Sequence, residues 1–278
     1  MVWMKVAAAL VAVLVLGVIT AVGLGNWLWY KATADLDASL VAVESDVVSL
    51  HELPTPVAAY LARAIPAGTK GLRTARLRQE GEFQMGDGPE GWKPFTATEV
   101  FAATSPAFYW DAKIAMAPFT TVRIRDSYLA GDAAMLGKIA GVITVVDASG
   151  DDGLIEGALA RYLAEAVWLP TRLATGPGLT WAAVDAHSAE ARLSDRGVTV
   201  ALRFTFNDEG DPIEVYGLRK REQDGEYIET PWRGRFEAHR QVDGLRIPTY
   251  GEVAWIIDGV KKPYWRGTII SVEYTWEP

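Results

Sequence analysis

The sequence predicts a mainly β (α+β) fold, a large curved antiparallel sheet or half-barrel wrapped around a buried helix, with an N-terminal transmembrane helix. Three observations carry that expectation. From Leu72 to the C-terminus the chain reads as about ten alternating segments separated by turn residues. One helix without a polar face interrupts them near residue 160. An uncharged run of nineteen residues, Val6 to Leu24, lies near the N-terminus. A sheet of this size has an apolar face to cover, so curling around the helix is the economical arrangement.

The apolar run is flanked by Trp3 on one side and by Trp27, Trp29 and Tyr30 on the other, positions suited to the two lipid interfaces. A cleavable signal peptide is the competing reading. The run is longer than an ordinary leader core, however, and large aromatics follow it where a small-residue cleavage site would stand. Lys5 and the terminal amine precede the run, and only Lys31 follows it before Asp35, Asp37, Glu44, Asp46 and Glu52. That asymmetry favours a single-pass cell-membrane protein with its C-terminal domain outside the cytoplasm.

Residues 1–30 are therefore read as the anchor and residues 31–52 as a membrane-proximal stalk helix. In the stalk, Leu36, Leu40, Val43, Val47 and Leu50 alternate spacings of four and three, a seam that fits either the domain or a second copy of the chain in a homodimer. Residues 53–278 form the half-barrel domain. It opens with Pro56 at the start of a short helix carrying Val57, Tyr60, Leu61 and Ile65. Ala75, Leu77, Gln79, Gly81, Phe83 and Met85 then share one face of a strand, "GDGPEG" turns the chain, and further strands run to about Asp147. The inserted helix spans 155–169. Strands resume through the turns "SDRG" and "NDEGD", and the last stretch reads as three strands with corners at "VDG" and "IDGVKKP".

Beyond Lys5 the chain has 26 basic against 35 acidic side chains, a net of −9, which argues against nucleic acid as a partner. The runs Arg73–Arg76–Arg78 and Arg219–Lys220–Arg221 read as solvated strand faces or turns. There is no cysteine, which removes disulfides, thiol nucleophiles, cysteine metal sites and a lipidated cysteine. No nucleophile elbow, phosphate loop, zinc helix or dinucleotide fingerprint occurs. Three histidines, His51, His187 and His239, are scattered over a linker, a loop and a strand. The stretch "DASGDDG" starts like a calcium loop but has Asp152 where glycine is needed and Ala158 where a bidentate glutamate is needed, so it reads as an acidic turn in which Asp151 or Asp152 caps the helix. No catalytic residue, metal or cofactor is assigned.

The inserted helix, "EGALARYLAEAVWLPTRL", is apolar around most of its circumference, yet it carries Arg161 and Glu165 one turn apart. Two charges on such a helix are expected to pair where water is restricted, and losing one partner should cost about 3 to 5 kcal/mol. Glu165 beside Trp168 is the one candidate for a general acid or base, and Arg161 opposes that role by favouring the charged carboxylate. Tyr109 with Trp110, and Tyr264 with Trp265, are adjacent in strands and so should point to opposite faces, placing one aromatic of each pair toward the concave side. With Trp168, Trp232 and Trp255 they outline a hydrophobic cavity.

The segments "LPTPVAAYL", "RYLAEAVWLP", "GRFEAHRQVDGLRIPTYGEVAW" and "YWRGTI" resemble a family of bacterial membrane-anchored proteins known only as a domain of unknown function, from about Leu53 to the end. The pair of strands around "VDGLRIP" is also similar to the late strands of LolA/LolB-like lipoprotein carriers, whose half-barrel is closed by helices over an apolar cavity that receives acyl chains. The resemblance suggests a ligand, and with the residues read above the leading expectation is a membrane-tethered envelope protein binding a lipid or another hydrophobic small molecule, with Arg161, Glu165, Trp168, Trp110, Trp232, Trp255, Tyr264 and Trp265 around the ligand and Arg161 as its polar anchor. The alternatives are a structural or sensing module that binds another envelope protein through its sheet edge, and a hydrolase-like enzyme using Glu165.

Overall fold

The computed structural model describes residues 1–41, 53–86, 88–118, 120–174 and 176–277. The chain begins with one unbroken helix, α1 (Val2–Val41), followed by α2 (Thr55–Ala64). Six strands come next: β1 (Leu72–Gln84), β2 (Trp92–Ala102), β3 (Ala107–Ala117), β4 (Thr120–Leu129), β5 (Asp132–Ile139) and β6 (Ile143–Ser149). The inserted helix is α3 (Asp152–Glu165), extended by a 3-10 turn (Ala166–Trp168) and the short α4 (Pro170–Ala174). The second run of strands is β7 (Leu179–Ala183), β8 (Ser188–Asp195), β9 (Val198–Phe206), β10 (Pro212–Gln223), β11 (Glu226–Glu237), β12 (Arg240–Val242), β13 (Leu245–Ile247), β14 (Tyr250–Ile257) and β15 (Val260–Trp276).

Thirteen strands form a single antiparallel sheet in the order β6-β5-β4-β3-β2-β1-β15-β14-β11-β10-β9-β8-β7, and β12 pairs with β13 apart from it. The first strand and the last pair at its centre, so the two halves of the barrel are joined through the chain's ends. The sheet curls into a half-barrel: Tyr128 on β4 donates its hydroxyl proton to Asp195 at the end of β8, 2.6 Å away, although eight strands lie between them in the sheet order. Six hairpins close on a pair of left-handed residues whose second member is glycine, as the right-handed twist of the flanking strands requires.

The apolar helix α3 fills the trough, packing on β4, β5, β8, β9 and β10. Asp151 caps it, its carboxylate accepting from the Gly153 N–H at 2.8 Å. Leu159, Tyr162 and Leu163 are fully buried, and the Tyr162 hydroxyl donates to the Ala102 carbonyl at 2.8 Å. Both ends of the strand order thus share one core.

Helix α1 passes residue 30 without a break. Its first turns stand clear of the domain, and the segment to Leu24 remains long and apolar enough to cross a membrane. From Gly25 onward it lies on the convex face of the sheet. A Cβ at Gly25 would sit 2.5 Å from the Gly141 carbonyl oxygen, so the helix meets the β5–β6 turn backbone to backbone. Trp29, expected at a lipid interface, is instead buried: its indole donates to Asp111 at 2.8 Å and its ring lies beneath Arg123 and Arg125 at 4.9 and 4.7 Å. Each such stack contributes about 0.5 to 2 kcal/mol. Farther along, Asp37 pairs with Arg76 and accepts from the Tyr109 hydroxyl at 3.0 Å. Leu36 and Leu40, the first two seam positions, pack on Val100, Ala102, Ala107 and Tyr109 of the same chain. Val43, Val47 and Leu50 lie outside the described residues, as does His51.

Candidate functional site

Alternation places Phe95, Ala97, Glu99 and Phe101 of β2 on the concave face, and likewise Val122, Ile124, Asp126 and Tyr128 of β4. In register, Glu99 stands opposite Trp110 and Trp110 opposite Asp126, so two carboxylates flank one indole across three neighbouring strands. Arg161 reaches down from α3 onto this row. Its guanidinium lies 5.2 Å from the Trp110 ring centre and 5.1 Å from that of Phe108. Nη2 donates to Glu99 and Nη1 to Asp126, each at 2.7 Å, and Nε reaches both oxygens of Glu165 at 3.1 and 3.0 Å. Gln79 completes the network, donating to Glu99 at 2.6 Å and accepting from the Trp110 indole at 2.8 Å.

One guanidinium therefore serves three carboxylates. Glu99 has no solvent exposure, and burial, followed by the charge of Glu165, holds its carboxyl well above the usual range against the pull of Arg161. Burial alone would lower Arg161, but Glu165, Glu99 and Asp126 outweigh it and hold the guanidinium firmly charged. Asp126 Oδ1 is buried without a hydrogen-bond partner. The Arg161–Glu165 pair was legible from its spacing, whereas Glu99 and Asp126 were not named, although a lone acid in an otherwise apolar alternating row is the signal that could have found them.

Above this row the trough holds a cavity of about 590 Å³. All eight residues singled out from the sequence, Arg161, Glu165, Trp168, Trp110, Trp232, Trp255, Tyr264 and Trp265, lie on its wall, joined by Phe83, Ile124, Met135, Phe236 and Val253. Tyr264 and Trp265 do not alternate as expected. The β14–β15 register pairs Val253 with Trp265 but Ala254 with Pro263, leaving Tyr264 in a bulge that turns it to the same side as its neighbour. Pro263, which has no N–H to give a ladder, marks the irregularity. Tyr264 then stacks on Trp255 at 5.8 Å and accepts from the Trp232 indole at 2.9 Å. Of the other expected pair, Trp110 faces the cavity and Tyr109 faces α1.

The second basic run is also different from its expected solvated face. Arg219 on β10 is buried and lines the cavity, its guanidinium 4.6 Å from the Trp232 ring centre, and Lys220, Arg221, Glu222, Tyr227 and the exposed Val145 and Asp147 of edge strand β6 belong to the same wall. Neither His187 nor His239 is on the cavity wall, and among the described residues no cluster of histidine and acid side chains could hold a metal ion.

Residues 51–274 match a family of unknown function, DUF6920. The chain belongs to that family. No curated protein matches this DUF6920 chain. Among solved structures it is similar to the LolA superfamily protein NE2245 from Nitrosomonas europaea, at 9% identity and a TM-score of 0.41, over 81% of this chain and 94% of that one. It is also similar to a DUF1329 family protein from Desulfovibrio piger, at 9% identity and a TM-score of 0.35, over 73% and 86% of the two chains. A β-barrel-like DUF1849 protein from Brucella abortus gives 9% identity and a TM-score of 0.23, over 74% and 100%.

Proposed function

We propose that this DUF6920 protein is tethered to the cell membrane by α1 and binds a lipid-like or other hydrophobic ligand in its half-barrel, outside the cytoplasm. The cavity carries the proposal: about 590 Å³ of space walled by rigid aromatic rings is what a small apolar ligand needs, and a chain with no use for the space would fill it. Two features of α1 support the tether. The helix continues unbroken past the point where a leader would be cut, and it is docked on the sheet from Gly25, directly after the apolar run. With α1 in a bilayer, the β5–β6 turn at Gly141 lies at the membrane surface. The exposed Val142, Ile143 and Val145 then lead along β6 from that surface to the cavity wall, a path of roughly 10–15 Å at 3.3 Å per residue.

The hydrolase-like alternative finds less support, because both oxygens of Glu165 are engaged by Arg161 and Glu99 is out of reach of any substrate. Native mass spectrometry of the full chain extracted from membranes tests the proposal. A co-purified amphiphile that is lost on replacing Trp255 and Tyr264 by alanine is the expected result, and a protein that arrives free of bound amphiphile and accepts none would overturn it.

A further inference from the structure

Arg161 is the natural first choice for an anion anchor, but its Nε, Nη1 and Nη2 are each held by a carboxylate, so an anion arriving there would have to displace an acid. A second buried cation lines the same cavity without that constraint. Arg219 is 9% exposed, and no carboxylate lies within 4.0 Å of it among the described residues. Its Nη2 donates to the Gly157 carbonyl of α3 at 2.6 Å, and its Nε is buried with no acceptor. The rings of Trp232 and Trp255 lie 4.6 and 5.9 Å from the guanidinium. Those rings hold the plane of the fork but supply no negative charge.

A guanidinium cannot shed its proton at any physiological pH, so burial cannot be relieved by neutralisation as it can for a lysine. The chemistry that completes such a group is an oxyanion with two oxygens to offer, a carboxylate or a phosphate, which takes two parallel N–H donors at once. The aromatic stack fixes where the rest of that ligand goes, since Trp232, Trp255 and Tyr264 form one continuous wall from Arg219 into the cavity. Resting on the ligand-binding reading above, we propose that Arg219 binds the anionic head of a single-chain amphiphile, a carboxylate or phosphate, whose apolar body lies along this wall. The acid excess around Arg161 works in the same direction, because it repels the head from the β2–β4 side toward β10, where Arg219 is the buried cation.

The test uses the full chain in neutral detergent, incubated with an equimolar mixture of palmitate and hexadecanol and read by native mass spectrometry, with lysophosphatidate replacing palmitate in a parallel arm to separate carboxylate from phosphate. The wild-type protein is expected to retain the anion over the alcohol by about tenfold or more, as charge-assisted hydrogen bonds require. Arg219→Met should bring that preference close to one while hexadecanol is still retained, and Arg219→Lys, which keeps the charge without the fork, should fall between. Arg219→Met should also melt no lower than the parent, because it removes a buried charge that has no acid partner. Retention of both amphiphiles with a preference that neither variant changes overturns the role of Arg219 and leaves the cavity reading standing. Failure of the wild-type protein to retain either one overturns the cavity reading, and the role of Arg219 with it.

Discussion

Replacing Arg161 by methionine removes the cation that holds Glu99 and Asp126 at 2.7 Å and Glu165 at 3.0 Å, and leaves three acids against apolar and aromatic walls. Breaking one buried pair costs about 3 to 5 kcal/mol, mostly through the charge left behind. Three broken pairs do not triple that figure, since the three acids share one guanidinium and Glu99, already raised by burial, can take up a proton instead of remaining charged. The loss at neutral pH should therefore be about 3 to 5 kcal/mol, and it should depend on pH in a definite direction. Without Arg161 the pull that opposes the burial of Glu99 is gone, so its carboxyl stands further above its unfolded value and the native state holds a proton there that the unfolded chain releases. That contribution to stability is fully present below the unfolded pKa, about 4, and is lost as pH rises through the native values, by up to about 1.4 kcal/mol per pH unit for each additional proton held. The parent already has this slope in part, because Glu99 is raised even with Arg161 present. Urea unfolding of the full chain in micelles, followed by tryptophan fluorescence at about pH 5 and about pH 8, measures the difference. The variant should fall below the parent by roughly 1 to 3 kcal/mol more at the higher pH. Adding Glu99→Gln and Glu165→Gln should restore part of the loss. A deficit equal at both pH values, or smaller than about 1 kcal/mol, would refute the idea of one electrostatic unit built on Arg161.

Glu165→Gln removes one of three acids that share one guanidinium, so in the same unfolding assay it should change stability by less than about 1 kcal/mol at neutral pH. A loss as large as that of Arg161→Met would make Glu165 the principal partner. Gly25→Val places a side chain where only 2.5 Å separates a Cβ from the Gly141 oxygen, and should lift α1 from the convex face; trypsin should then cut after Lys31 several times faster, and an unchanged rate would mean that the helix is held elsewhere. A reporter fused after Pro278 should be active only outside the cytoplasm, and cytoplasmic activity would reverse the orientation drawn from Lys5 and Lys31.

Much of the architecture was legible because its signals are local. The nineteen uncharged residues, the apolar circumference of α3 and the turns at Asp243–Gly244 and Asp258–Gly259 each announce themselves within a few residues. The turns at Ala130–Gly131 and Ala140–Gly141 have the same left-handed geometry, but alanine lacks the side-chain oxygen that makes asparagine and aspartate recognisable there, so β4, β5 and β6 blurred into one stretch. That blur also hid Asp126, whose inward position depends on knowing where β4 begins. Glu99 was hidden for a different reason. Its partner on α3 is sixty-two residues away, and only the register of β2, β3 and β4 brings it beneath Arg161. Spacing within a helix can reveal an i, i+4 pair such as Arg161–Glu165, but it carries no information about which strand will lie below.

The persistence of the cavity follows from how its floor is made. Gly81, Gly267 and Gly251 stand side by side on β1, β15 and β14, the strands at the centre of the sheet. A Cβ at Gly267 would lie 2.7 Å from the Trp265 ring and one at Gly251 3.3 Å from it, so these two positions must stay bare for the indole to lie across them, while one at Gly81 would run into the Arg266 carbonyl of the neighbouring strand. Lying there, the Trp265 ring covers Gly267 and Gly251 and forms part of the cavity wall. The bulge then turns Tyr264 into contact with Trp255 and Trp232, so that these rings brace one another across the wall instead of collapsing inward. Flexible aliphatic side chains at those positions would close the space, whereas rings with few rotamers and mutual contacts keep their places at little entropic cost. A cavity held open by its own walls is ready for a ligand before the ligand arrives, and Arg219 on its wall, held by the Gly157 carbonyl and two indoles but by no acid, is then the feature that decides which end of an amphiphile it receives.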